Sequence, residues 1–456
     1  MVVEGAPDFI ATQLHEIFPL VLRLLEDPEL KVRKAALNGV MRISEELPEE
    51  LGKEHKKLFP SLVKHMDIAI KSLTGPEDTK NLDIIRASCN CIESLVEGLD
   101  YNDIKPYLPE LMPRLTRLFS HPNLKTKGAA IGATGAIAAT AKEDFTPYFE
   151  HTMNALSEYV RMKDSPEELD LRSITCDAIG SIALAMGAKP FQRYVRPMMQ
   201  ATDEGLHLDH PKLKETSFLF WAMMAKVYGD EFKPFIQGVV KCLFECLDTE
   251  ESDLDVDLGE EAADLAGQEI NIGGRKIKVA SMTDDEIIAA DDIEDLDEEI
   301  AEGDDDWDDM NIISAVAQEK EIAVEVLGDI LTHATKDYIP YMEKTIETCL
   351  PLVEHSYEGV QKAALSTLFR AYAAVWNLQP DKDWEPGLPL ETEPSAQIKR
   401  LGEIIMTATL AIWQTEEDRY VQSLHSVIYE TALHHFPLYD DTYVVNPSSL
   451  RSNCSC

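Results

Sequence analysis

Asp27–Val40 reads DPELKVRKAALNGV. An Asp-Pro turn leads into a run whose Leu and Val residues fall at helical spacing, with the small pair Ala35-Ala36 between them. Apolar residues at that spacing bury one face of a helix, and small residues let a neighbouring helix approach closely. The same kind of run returns at Leu171–Gly180 (LRSITCDAIG) and Val360–Leu368 (VQKAALSTL), with turn punctuation also at His121-Pro122 and His210-Pro211. A second signal recurs between these runs. A proline followed by an aromatic stands at Pro106-Tyr107, Pro147-Tyr148, Pro190-Phe191, Pro234-Phe235 and Pro340-Tyr341. Proline suits the first turn of a helix, where its missing N–H has no partner in any case. Each pair is therefore expected to open a first helix and each small-residue run to be a second helix. Its first three intervals are 41, 43 and 44 residues, the period of a helical repeat.

The interval from Pro234 to Pro340 is 106 residues, about 63 more than one period. Asp248–Met310 is itself 63 residues long and holds 26 Asp or Glu against Arg275, Lys276 and Lys278. The expected organisation follows: a repeat array over 1–247, an acidic insertion within one repeat over 248–310, the array again over 311–446, and a polar tail over 447–456 that breaks with the rest in composition. Gln379–Pro394, rich in Pro, Asp and Glu, reads as a longer loop. The fold class is all-α, a solenoid of about eight helical-hairpin repeats. Such arrays escape the size limit of a single core because each unit packs only on its neighbours.

The net charge of -41 places about -23 in the insertion and about -18 on the other 393 residues. That field repels nucleic acid and attracts basic proteins. None of the eight cysteines sits in a CxxC or zinc-like spacing, no signal peptide is seen, and no apolar run reaches the ~20 residues of a membrane span. This usage fits free thiols in a reducing, cytosolic or nuclear compartment. Cys242 and Cys246 lie four apart, His434-His435 lie late in the chain, and Gly128, Gly132 and Gly135 follow no strand, so they read as packing glycines and not a phosphate loop. No calcium-loop order of ligands appears among the acids. No enzyme, metal or cofactor is expected.

Two surfaces carry the candidate chemistry. Long acidic runs with few aromatics do not bury enough surface to fold, so the insertion reads as a solvated linker; as an electrostatic mimic it would also compete for Lys- and Arg-rich segments. Ile270–Val279 alternates polar and apolar residues around Gly273-Gly274, a hairpin signal. Its basic residues serve either charge balance within the loop or as a pseudo-cargo for an acidic wall. In the second helices, alignment on the small residues places Asn38, Asn90, Asp177, Glu325 and Ser366 in one register, with Ser173 a turn before and Glu93, Asp329 and Arg370 about a turn further on. Stacked in a solenoid, these form a ladder able to hold lysine ammonium groups or an extended backbone. For any single one of them, an ordinary wet-face residue is the better reading. Trp221, beside Phe218 and Phe220, reads as repeat core or, if exposed, as a platform for a lysine stem.

With Asp27, Val32, Arg33 and Ala36 in place, the repeats resemble HEAT repeats, while Thr126-Lys127 and Leu213-Lys214 depart from the Val-Arg pattern. The Pro-aromatic helix starts, the acidic loop and its end Gly303–Met310 (GDDDWDDM) together resemble the importin-β family of nuclear transport receptors. Gln318–Ala323 (QEKEIA) and Tyr338–Glu343 (YIPYME) look like the branch called importin four in animals and its fungal counterpart. That resemblance implies a central part of a longer, monomeric receptor shuttling between cytoplasm and nucleus. It implies histones and ribosomal proteins as cargo, nucleoporin FG repeats as partners, and Ran-GTP-dependent release in the full-length protein. It also singles out Asp304, Asp305, Asp306, Trp307, Asp308 and Asp309 as the family's acidic-loop device. A HEAT scaffold of a multiprotein complex and an acidic histone chaperone are the competing readings.

Overall fold

The structure, a computed structural model, describes residues 7–75, 78–208, 210–249, 269–272, 275–278, 315–378 and 395–415. The loop 379–394, the tail 447–456 and the acidic-loop residues Asp304, Asp305, Asp306, Trp307, Asp308 and Asp309 lie outside the described residues. Contacts divide the chain into two units, Met1–Asp248 with Ala317–Cys456, and Thr249–Val316.

The first unit is a run of helical hairpins. First helices are α1 (Pro7–Leu25), α3 (His55–Ser72), α5 (Leu108–Leu118), α7 (Thr146–Leu156), α9 (Ala188–Gly205), α11 (Lys233–Leu247), α13 (Thr335–Leu352) and α15 (Ala396–Thr415). Second helices are α2 (Leu30–Glu46), α4 (Thr79–Glu97), α6 (Leu124–Ala141), α8 (Pro166–Met186), α10 (Pro211–Tyr228), α12 (Ala315–His333) and α14 (Glu358–Asn377). The turn residues do the work expected of N-caps: Asn123 Oδ1 accepts from Thr126 N at 2.9 Å, Ser165 Oγ from Glu168 N at 3.3 Å, and His210 Nδ1 from Leu213 N at 3.2 Å. Pro147 and Pro234 stand in the first turns of α7 and α11. Pro340 does not open its helix, because α13 has already begun at Thr335. Tyr107 packs back on the preceding repeat, its ring 4.4 Å from that of Phe59.

Small residues decide which helices touch. A Cβ added to Gly135 of α6 would stand 2.9 Å from Ala178 Cα of α8, so these second helices meet almost backbone to backbone. The first helices α5 and α7 leave a cleft of about 500 Å3 between them. The second helices thus form one closely packed wall of this unit. Ion pairs link successive repeats: Lys34–Asp83 at 3.0 Å, Arg114–Asp67 at 2.8 Å, Lys105–Asp144 at 3.1 Å and Arg193–Glu150 at 2.9 Å. The more exposed of these, such as Arg193–Glu150, contribute at most about 1 kcal/mol each. Most of the stability lies in the apolar interior, where Trp221, Tyr338, Tyr372, Phe59, Phe119 and Phe191 are nearly or fully buried.

α11 ends at Leu247 and α12 begins at Ala315, so the acidic block falls between these two helices in the chain. The array keeps its register across that point. Lys214 of α10 pairs with Glu319 of α12, and Lys233 of α11 with Asp337 of α13 at 2.7 Å. In the second unit, β1 (Glu269–Ile272) and β2 (Arg275–Lys278) pair antiparallel, with Ile270 opposite Ile277 and Asn271 opposite Lys276.

Candidate functional site

On α8, Asp170, Ile174, Asp177, Ser181 and Leu184 are open to water and form a stripe at steps of three and four. On α4 the corresponding stripe carries Asn90, Glu93 and Glu97. Between them α6 presents Ala129, Gly132, Ala136 and Ala139, a floor almost without side chains. A Cβ on Gly132 would stand 2.8 Å from both carboxylate oxygens of Glu93, so this carboxylate lies directly against the helix backbone.

Glu93 thus loses water on one side without gaining a donor, since the N–H groups of α6 are already engaged within the helix. Burial, then the neighbouring Glu97 and Asp177, push its carboxyl up to about 7. Glu97 is raised by burial and by Glu45 and Asp177. Asp177 is open to water along the wall yet closely surrounded, and it is raised by that burial and then by Glu215 of α10. Every charged group acting on these three is an anion. Among the described residues none of the three has an ion-pair partner. By contrast, the acids between repeats are paired, as Asp67 shows: Arg114 holds its carboxyl below the usual range. The arrangement is an anionic trough able to hold ammonium or guanidinium groups above a smooth floor.

A second acidic group lies on α12. Glu325 is raised by burial and by Glu321, while Arg370 of α14 opposes that shift. Arg370 donates to Asp329 at 2.6 Å, so this end is partly neutralised. Asn38 is exposed on α2, and Asn90 and Ser366 are half-buried on the same side of their helices. Two expected wall residues are not on the wall. Ser173 is fully buried one step off the α8 stripe, its hydroxyl donating to Leu169 O at 3.0 Å. Trp221 is 1% exposed, its Nε1 donating to Thr202 Oγ1 of α9 at 2.8 Å and its ring 5.6 Å from Phe218. The reason is rotation: the open stripe of α10 runs through Glu215, Leu219 and Met223, and two residues of helix turn Trp221 to the opposite side. Sequence reasoning missed Glu97, Glu45 and Glu215 as members of the wall. Glu97 was findable, four residues after Glu93 on one face; Glu45 and Glu215 needed the packing of other helices.

Among the described residues Cys242 is half-buried, while the other cysteines are buried. Cys89 and Cys176 are fully buried, and burial pushes both thiols up to about 12. Met112, Pro113, Thr116 and Arg117 of α5 face Pro147, Tyr148 and His151 of α7 across the cleft.

Residues 64–213 match the family model described as importin subunit beta-1-like, TPR repeats, and residues 17–47 match the HEAT repeat. The chain is 35% identical over 422 residues to the probable importin subunit beta-4 of Schizosaccharomyces pombe, covering 92% of this chain and 36% of that protein. It is 25% identical to importin-4 of Mus musculus over 80% of this chain and 32% of that protein. It therefore spans about a third of the length of these curated relatives. Its fold is similar to that of the karyopherin Kap121p solved with the extreme C-terminus of the phosphatase Cdc14p, with a TM-score of 0.67 at 14% identity over 97% of this chain and 38% of that chain. An array of HEAT hairpins with this family model across its middle and importin relatives along most of its length belongs to the importin-β family of karyopherins.

Proposed function

We propose that this chain is the cargo-binding segment of a nuclear import receptor and that it captures basic localisation segments of histones and ribosomal proteins on its second-helix wall. The carrying observation is the trough itself: Glu93, Glu97 and Asp177 without a cation, above the bare floor of α6. An extended lysine-rich segment satisfies this wall in a way that no group among the described residues does. Asn38, Asn90, Glu325, Asp329 and Ser366 extend the wall along neighbouring repeats. The acidic insertion modulates access, and Ran-GTP releases the cargo in the full-length protein. The cleft between α5 and α7, apolar with Tyr148 at its side, is the seat for a nucleoporin phenylalanine.

The test uses the full-length protein on an immobilised histone-tail peptide, with and without Ran-GTP. Transport requires retention on the peptide and at least a several-fold loss when Ran-GTP is added. Retention that Ran-GTP leaves unchanged overturns the transport reading and returns the chain to the class of scaffold or histone chaperone.

A further inference from the structure

We infer that a cationic side chain entering the trough displaces a proton held by Glu93 and its carboxylate neighbours, so that cargo capture by this wall is coupled to proton release. This rests on the reading of the wall as a cargo site and adds its regulation. The geometry sets the coupling. Glu93 is pressed on the Gly132 backbone, which supplies no side-chain donor and keeps water off one side. The groups that face it are Glu97 and the Cys89 thiol on its own helix α4, and Asp177 on α8. Beyond them stand Glu45 of α2, acting on Glu97, and Glu215 of α10, acting on Asp177. The floor helix α6 contributes no titratable group at Gly132 or Ala136.

Such a carboxyl stays half-protonated near neutral pH, at about 7. An ammonium group brought between Glu93 and Asp177 reverses the local field and favours the ionised form, and the proton leaves to solvent as the cation arrives. The sign follows from linkage. The free site binds the proton and the occupied site does not, so affinity falls as pH falls through the free value. With a free value of about 7 and full ionisation in the complex, affinity drops about tenfold between pH 8 and pH 6, and about half a proton is released per peptide at pH 7.

Calorimetric titration of a lysine-rich, histidine-free, N-acetylated peptide into the chain, in buffers of different ionisation enthalpy at pH 6, 7 and 8, counts the protons. The expected result is that half proton at pH 7, rising towards one at pH 6, with Glu93→Gln removing most of the release and flattening the pH profile. Binding of the wild-type chain without proton release overturns the coupling and leaves the cargo reading standing; absence of peptide binding overturns the cargo reading and the coupling with it. Potentiometric titration of the free chains gives an answer independent of cargo. Glu93→Gln should take up nearly one proton fewer between pH 8 and pH 6, and equal uptake overturns the inference.

Discussion

Replacing three wall carboxylates together, Glu93→Lys, Glu97→Lys and Asp177→Lys, is expected to weaken binding of a lysine-rich peptide by about a hundredfold or more. Each exposed charge pair contributes about 0.2–1 kcal/mol, and reversal adds a repulsion of similar size in place of the attraction. Three reversals therefore remove about 3 kcal/mol, which is somewhat over a hundredfold in affinity. The fold should survive, because among the described residues these side chains have no ion-pair partner and the wild-type cluster is self-repelling. Fluorescence anisotropy with a labelled peptide measures the affinity and circular dichroism verifies the helices. A variant that keeps its helices and loses less than fivefold in affinity contradicts the assignment of this wall.

Trp221→Ala should have the opposite profile, with a large effect on stability and a small one on binding. The indole is buried between α10 and α9 and bonded to Thr202 Oγ1. Truncating a buried aromatic costs about 3–5 kcal/mol through lost transfer energy and the cavity left behind. In a repeat array the loss weakens the interface between neighbours, so the urea midpoint should fall and the transition broaden. Trp221→Phe keeps a ring and should recover most of the loss. At temperatures where the alanine variant is folded, peptide affinity should lie within twofold of wild type. Reduced affinity at unchanged stability would return Trp221 to the binding surface.

Periodicity carried most of the fold. The Pro-aromatic starts gave the repeat length, and the excess between Pro234 and Pro340 pointed to an insertion between or within the helices of one repeat; in the chain the acidic block falls between α11 and α12. Pro340 misled in detail, since a proline six residues into a helix looks in sequence like one that opens it. The wall was harder to read. Aligning second helices on their small residues fixes a position along the helix to within a residue or two, but each residue of error turns a side chain by about 100°. With that tolerance the alignment put Glu93 and Asp177 on the open faces of α4 and α8 and also admitted Ser173, which is buried. Nothing in the sequence tells that Gly132 leaves room for the Glu93 carboxylate, because the two lie 39 positions apart on separate repeats. The depth of Glu93, and so its raised carboxyl, comes from packing alone.

The most direct test of the central claim, that unpaired carboxylates on the second helices capture basic segments, is the salt dependence of peptide binding. Exposed charges are screened within about 8–10 Å near physiological ionic strength, so affinity for a lysine-rich peptide should fall steadily from low to physiological salt. The neutralised variant, Glu93→Gln with Glu97→Gln and Asp177→Asn, should bind more weakly at low salt and show a clearly shallower slope. The account predicts that the two lines converge as salt rises; parallel lines of equal slope would contradict it.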